Sequence, residues 1–252
     1  MNSSTAQGTN WFDKGAEAYA RFRPHYPQSL AAYLASLAPN TTLALDVGCG
    51  NGQLTRDLAK HFSAVTGVDP SEDQIAHCTA QANVRYQCAP AEDLPLPSHS
   101  VSLITAAQAA HWFDLPRFYA EVRRVAIPGA ILALISYGVP LLEPILNDRF
   151  QRFYWNEIGP YWPAQRTLVD SGYATLDFPF AHIKGDAISF CLEWNLEEFL
   201  GYISTWSAVL QASQAGQDEV LKHFAEELAR LWGEPTTKRP VTWPINMRIG
   251  RV

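Results

Sequence analysis

The run Leu43-Ala44-Leu45-Asp46-Val47, followed at once by Gly48-Cys49-Gly50-Asn51-Gly52, limits the fold more than any other feature of the chain. A short, nearly continuous apolar run predicts a strand buried on both faces, as in parallel sheets. Glycines directly after it let the backbone turn sharply and approach a ligand closely. The pattern beyond them predicts a helix over about 53–61, whose first N–H groups have no partner within the helix. Ala64-Val65-Thr66-Gly67-Val68-Asp69 reads as the next strand and ends on an acid. A carboxylate in that place offers two acceptor oxygens to the hydroxyls of a ribose.

The alternation continues. The pattern predicts a helix over Ser71–Ala82, strands over Val84–Cys88 and Val101–Ala106, and a helix over Leu115–Ala126 with Pro116 near its first turn. A turn at Pro128-Gly129 then leads into a strand over Ala130–Tyr137. Strands alternating with helices imply βαβ units, and so a doubly wound α/β fold with a mainly parallel sheet. Upstream, residues 1–10 are polar and expected to be disordered, and two helical stretches are interrupted at Pro24 and Pro27. The second of these covers Ser29–Ala38, with Ser29 as its expected cap. Downstream of Gly138 the alternation stops. Residues 139–180 are rich in aromatics and prolines, helical patterns follow over Leu196–Ala212 and Gln217–Trp232, and Val241–Val252 reads as a final strand. The expected organisation is one domain over 11–252. It comprises a helical cover (11–40), a ligand-binding core (41–138), a lid and substrate region (139–235) and a closing strand (241–252).

Composition excludes several classes. With 252 residues, 47% of them hydrophobic, the chain can bury a full core. Its net charge of −6, with no Lys/Arg run, argues against a nucleic-acid partner. Cys49, Cys78, Cys88 and Cys191 show no CxxC spacing, so no metal site is expected and free thiols in a reducing compartment are the simplest account. No apolar run approaches a membrane span, and the N-terminus carries no apolar signal core, so a cytoplasmic protein without a membrane partner is expected.

Two ligands suit a glycine loop followed by a strand-ending acid: a dinucleotide or S-adenosylmethionine. The dinucleotide fingerprint is G-x-G-x-x-G, whereas the order here is G-x-G-x-G, with Gln53 where that fingerprint has its third glycine. Asp46 lies just before the first glycine. An acid suits the ammonium of a zwitterionic methionine tail better than a pyrophosphate. A plain tight turn is the bland alternative.

Leu45-Asp46-Val47-Gly48-Cys49-Gly50-Asn51-Gly52 resembles motif I of class I S-adenosylmethionine-dependent methyltransferases, and Val68-Asp69-Pro70-Ser71 resembles their second motif. Ala91-Glu92-Asp93-Leu94-Pro95 is similar to the third, and Ala106-Ala107-Gln108-Ala109-Ala110-His111-Trp112-Phe113-Asp114 to the fourth. The wider chain is similar to the small-molecule branch that includes trans-aconitate methyltransferase. Tyr202-Ile203-Ser204-Thr205-Trp206-Ser207 and Trp243-Pro244 add to that likeness. One departure is visible: the family's fourth strand commonly begins with Asp, and Ser102 stands there.

The resemblance implies a seven-stranded sheet and S-adenosylmethionine as the cofactor, leaving as S-adenosylhomocysteine. Gly48, Cys49, Gly50, Gln53 and Leu54 would border the methionine part, and Asp46 would support its ammonium or accept from it. Asp69 would hold the ribose, Pro70 and Gln74 the adenine face, and Ala91 and Glu92 its edge. Ala107 and Gln108 would lie along the methionine chain, and Tyr19 and Arg23 on the covering helix. His111 is the candidate base, or with Trp112, Tyr202 and Trp206 a binder of the acceptor. The expected activity is methylation of a small molecule, with O-methylation of a carboxylic acid favoured, by a monomer or homodimer. A non-catalytic S-adenosylmethionine-binding sensor or partner subunit, and an NAD-dependent oxidoreductase, are the alternatives.

Overall fold

The structure, a computed structural model, describes Phe22 and residues 24–252. Tyr19, Arg23, the tail at 1–10 and the rest of the first helical stretch lie outside the described residues. The chain divides into two compact units. The core unit comprises 25–139, 165–190 and 243–252, and the helical unit takes in 140–164 and 191–242 with Phe22 and Pro24.

The core unit opens with α1 (Gln28–Leu37). Pro27, not Ser29, is its cap: the proline is extended (φ −68°, ψ 143°), and no side chain caps the helix. Ser29 instead lies inside the first turn. Leu30, Ala31, Leu34 and Ala35 form its buried stripe. Then come β1 (Leu43–Val47), α2 (Gln53–Leu58), β2 (Ala64–Asp69), α3 (Glu72–Ala76) and β3 (Val84–Cys88). Next are β4 (Val101–Ala107), a 3-10 turn at Ala110–Trp112, α4 (Leu115–Val125) and β5 (Ala126–Tyr137). Two deviations from the sequence pattern have local causes. The stretch expected to be helical over 71–82 keeps only α3, which buries none of its residues, so nothing stabilises further turns. β5 begins at Ala126 rather than Ala130. Val101 pairs with Ala126 and Leu103 with Ile131, so the segment between bulges, with Gly129 at φ +80°.

After α5 (Pro144–Arg152) in the helical unit, the core resumes with α6 (Arg166–Asp170) and β6 (Ala181–Ile183). Two strands, β7 (Ile188–Trp194) and β8 (Arg239–Arg251), carry the chain between the units. The strand order is β3-β2-β1-β4-β5-β8-β6, with β7 pairing β8 off this path. Among the described residues that gives eight strands, one more than the seven of the resemblance. β1 pairs in parallel with β2 and with β4, while β8 runs antiparallel to β5. Succession therefore moves outward from β1 to β3, returns to the other side of β1 and continues from β4. The carboxyl ends of β1 and β4 lie side by side where the direction reverses, the place where open α/β sheets bind ligands. Leu45, Val47, Val68, Ile104, Leu132 and Leu134 are buried in the sheet, with Phe118 and Val122 of α4 packed in the same cluster.

The helical unit also holds α7 (Leu196–Ser204), α8 (Ser207–Gln214) and α9 (Asp218–Trp232). The pattern that reads as one helix over 196–212 is two. The Thr205 hydroxyl and N–H both turn back to the Tyr202 carbonyl, and Trp206 is extended (φ −79°, ψ 136°). Asn195 and Glu198 form a reciprocal capping box at the start of α7. The core of this unit is aromatic: Phe153 stacks on Phe224 at 3.7 Å, and Trp206 meets Phe150, Tyr154 and Tyr202. Buried Arg149 bridges Glu157 and Glu227. Among the described residues no helix is long and apolar enough to cross a membrane.

Candidate functional site

The glycine loop is tied to β2 by its own backbone, because Gly48 N and Cys49 N both donate to the Val68 carbonyl at 2.8 and 3.0 Å. Gly48 and Gly52 have φ of +68° and +81°, conformations that strain any residue with a Cβ. Space forbids one as well. A Cβ on Gly48 would lie 2.4 Å from the Ala109 Cβ, and one on Gly52 2.3 Å from the Tyr86 hydroxyl. At Gly50 the loop is open, and a Cβ there would stand 3.7 Å from the Gln74 Oε1.

Asp69 closes the arrangement. Gly50 N donates to its Oδ2 and Ser71 N to its Oδ1, each at 2.9 Å, so the carboxylate stands between the loop after β1 and the start of α3. Asp46 lies deeper and is almost wholly buried. The Thr55 hydroxyl donates to its Oδ2 at 2.7 Å and the Thr105 hydroxyl to its Oδ1 at 2.8 Å. Burial pushes its pKa up to about 6, against the pull of these hydroxyls. Asp46 thus pins the first turn of α2 to β4 beneath the loop. Cys49 directs its thiol inward, toward Gly67, and burial pushes that thiol's pKa up. Gln53 opens α2 and is half-buried, while Leu54 is buried.

The third and fourth motifs meet the first. Ala91 is buried, and the Glu92 Oε1 accepts from the Asp114 N–H at 2.8 Å, which fixes the start of α4. Phe113 and Ala109 flank Gly48. Ala107 ends β4. Gln108 follows at φ +54°, unusual for a residue with a side chain, and is held by N–H donation to Ile135 O and Nε2 donation to Tyr137 O. His111 Nδ1 lies 2.9 Å from the Tyr173 hydroxyl. Burial, with the Arg166 guanidinium adding to it, lowers the His111 pKa to about 4. Trp112 is 63% exposed beside it, rings 4.9 Å apart. Pro70 and Gln74 are exposed next to Asp69.

One cluster at the ends of β1, β2 and β4 therefore joins residues 46–54, 69–74, 91–92 and 107–114. Tyr202 and Trp206 are buried in the aromatic core of the helical unit. Ser102 donates from its hydroxyl to Leu43 O at the start of β4 and takes no part in the cluster. The sequence does not single out Thr55, Thr105, Tyr86, Ala109 or Tyr173. The pairs they form join separate elements of the fold, and no local spacing announces them. Among the described residues no His, Cys, Asp and Glu side chains group as a metal site.

Comparison with known proteins agrees with this geometry. Residues 45–134 match a family profile described as a methyltransferase domain. A provisionally assigned methyltransferase of Dictyostelium discoideum is 36% identical over 242 residues, covering 92% of this chain and 91% of that one. A probable S-adenosylmethionine-dependent methyltransferase of Saccharomyces cerevisiae is 31% identical over 143 residues, and there the match spans 52% of this chain and 49% of the relative. The solved structure of a protein from Anaeromyxobacter dehalogenans, provisionally described as a type II methyltransferase, superposes with a TM-score of 0.86 at 44% identity, covering 91% of this chain and 98% of that one.

Proposed function

From the premise that this chain belongs to the class I S-adenosylmethionine-dependent methyltransferases, we propose that its acceptor is a small molecule methylated on oxygen, with a carboxylic acid the favoured class. The observation that carries the cofactor site is the Asp69 carboxylate set between Gly50 N and Ser71 N. It places two carboxylate oxygens beside a loop that has no room for a side chain at Gly48 or Gly52, which fits a ribose next to a methionine tail. Bound there, the cofactor supplies an electrophilic methyl on a sulfonium that is already a good leaving group.

The residues of the chain then have positioning roles. Gly48 and Gly50 keep the loop low, and Asp46 fixes α2 under it. Gln108, Ala107, Ala91 and Glu92 would border the cofactor, with Pro70 and Gln74 at the adenine face. Holding an acceptor in line with the methyl carbon contributes about 7–11 kcal/mol in well-aligned reactions. His111, with its pKa near 4, is a weak base at neutral pH. An acceptor that is already ionised needs no base, and this favours a carboxylate over a hydroxyl or carbon acid.

A thermal-shift titration tests the cofactor site. S-adenosylhomocysteine should raise the melting temperature and NAD should leave it unchanged; the reverse would overturn the assignment. Asp69→Ala removes charge-assisted hydrogen bonds of about 1.5–3 kcal/mol, so affinity should fall on the order of ten- to a hundredfold. Unchanged affinity in calorimetry would show that the ribose lies elsewhere. A screen of small acids and phenols, read by release of S-adenosylhomocysteine, tests the acceptor class; turnover confined to phenols would remove the carboxylate.

A further inference from the structure

Tyr173 is held in a conformation that a large side chain rarely adopts, and the result is one hydroxyl delivered to one nitrogen. Its φ is +62°, in the left-handed region, which costs a non-glycine residue roughly 1–2 kcal/mol. The surroundings impose it. Tyr173 N donates to Leu168 O at 2.8 Å, and its carbonyl accepts from Leu176 N and from the Arg248 guanidinium at 3.1 and 2.9 Å. Gly172, just before it, also has a positive φ and lies against Asn246. The ring is fully buried and roughly stacked on His111, centroids 6.1 Å apart.

The polarity of the 2.9 Å contact follows from counting donors and acceptors. The tyrosine hydroxyl has one proton, and among the described residues the group that can take it is His111 Nδ1. If Nδ1 carried the ring proton, it would point at the tyrosine oxygen and the hydroxyl's own proton would be buried without an acceptor. A stranded buried donor costs about 1–3 kcal/mol, so the hydroxyl donates to Nδ1. A neutral imidazole then carries its proton on Nε2. Burial and the Arg166 guanidinium keep the ring neutral at pH 7, and burial keeps the tyrosine protonated.

Resting on the reading of His111 as a neighbour of the methyl acceptor, we propose that Tyr173 is a positioning residue that locks His111 as the Nε2–H tautomer, so that the ring offers the acceptor molecule a hydrogen-bond donor and not a base. A donor in that place selects acceptors with a lone-pair-bearing oxygen beside the methylated atom, as in a carboxylate or a carbonyl. It leaves the proton of a neutral alcohol without a base at His111.

Long-range proton–nitrogen correlation spectra of the full chain, labelled with 15N-histidine and recorded at pH 7, test the lock. The chain has 7 histidines, and the His111 signals are identified by their loss in His111→Gln. The expected result is the Nε2–H pattern in the native protein and a population of Nδ1–H in Tyr173→Phe. An Nδ1–H pattern in the native protein overturns the proposal, as does an unchanged pattern in a folded Tyr173→Phe. If that variant does not fold, the native spectrum alone decides. The spectra need no acceptor, so they stand apart from the cofactor titration. Failure to bind S-adenosylhomocysteine would sink the methyltransferase site and leave the tautomer result intact.

Discussion

Asp46 is a carboxylate with almost no solvent access, bound by two threonine hydroxyls and, among the described residues, by no cation. Its pKa in the folded chain, about 6, stands above the ordinary 3.8. The folded state therefore holds a proton that the unfolded chain has lost between these values. Above pH 6 the ionised group costs about 3 kcal/mol, at about 1.4 kcal/mol for each pH unit separating the two values, and that cost is relieved as the pH falls toward 4. His111 works in the opposite direction. Its folded pKa of about 4 lies below 6.5, so the unfolded chain gains a proton first and stability is lost as the pH falls through that window. In the native protein the two effects oppose each other. Asp46→Asn removes one of them, so its stability should fall more steeply between pH 7 and pH 4.5 than that of the native protein. Urea unfolding across that range measures the difference in slope, and any fixed cost of the amide cancels. Parallel pH profiles would mean that Asp46 titrates normally.

At the scale of elements, legibility follows burial. β1, β2 and β4 stand where the apolar runs put them, because a strand buried on both faces writes itself as a hydrophobic block. The glycine loop and Asp69 are legible for a related reason: each is required by local backbone geometry or by a strand end. What fails to show is anything decided by a distant partner or by a local turn that no residue type marks. The α7–α8 break is of the second kind: Thr205, which closes back on Tyr202, and Trp206 both fit an apolar helical pattern well. Thr105 and Tyr173 read as ordinary strand and loop residues until the fold sets them against Asp46 and His111. Tyr202 and Trp206, read as binders of the acceptor, are buried in the helical unit, and aromatic side chains suit both cores and binding sites, which periodicity cannot separate. The capping box at α7, by contrast, is a local signal. Asn195 Oδ1 accepts from Glu198 N at 2.9 Å, and Glu198 Oε2 accepts from Asn195 N at 2.8 Å. Asn195→Ala should cost about 1 kcal/mol, measurable by denaturant unfolding; a neutral result would show that α7 is held by its aromatic packing alone.

Over the whole molecule, the candidate cofactor residues that the structure describes belong to one of the two units, the one built on the parallel sheet. Hydrogen exchange should therefore slow on addition of S-adenosylhomocysteine mainly within 46–54, 69–74, 91–92 and 107–112. Protection spread evenly over both units would contradict a site confined to the strand ends. The order of the strands has a separate consequence during synthesis. β5 finds its neighbour on one side in β4, already made, but on the other side in β8, whose Ile245–Arg251 pair with Ile131–Tyr137. While the ribosome adds 140–238, the nascent chain holds a long, largely apolar strand with one bare edge, the kind that recruits other strands. The charged and polar residues of β8, Asn246, Arg248 and Arg251 among them, then cover that edge only after the helical segment has emerged. Until that last strand reaches β5, the edge stays open to pairing with another strand.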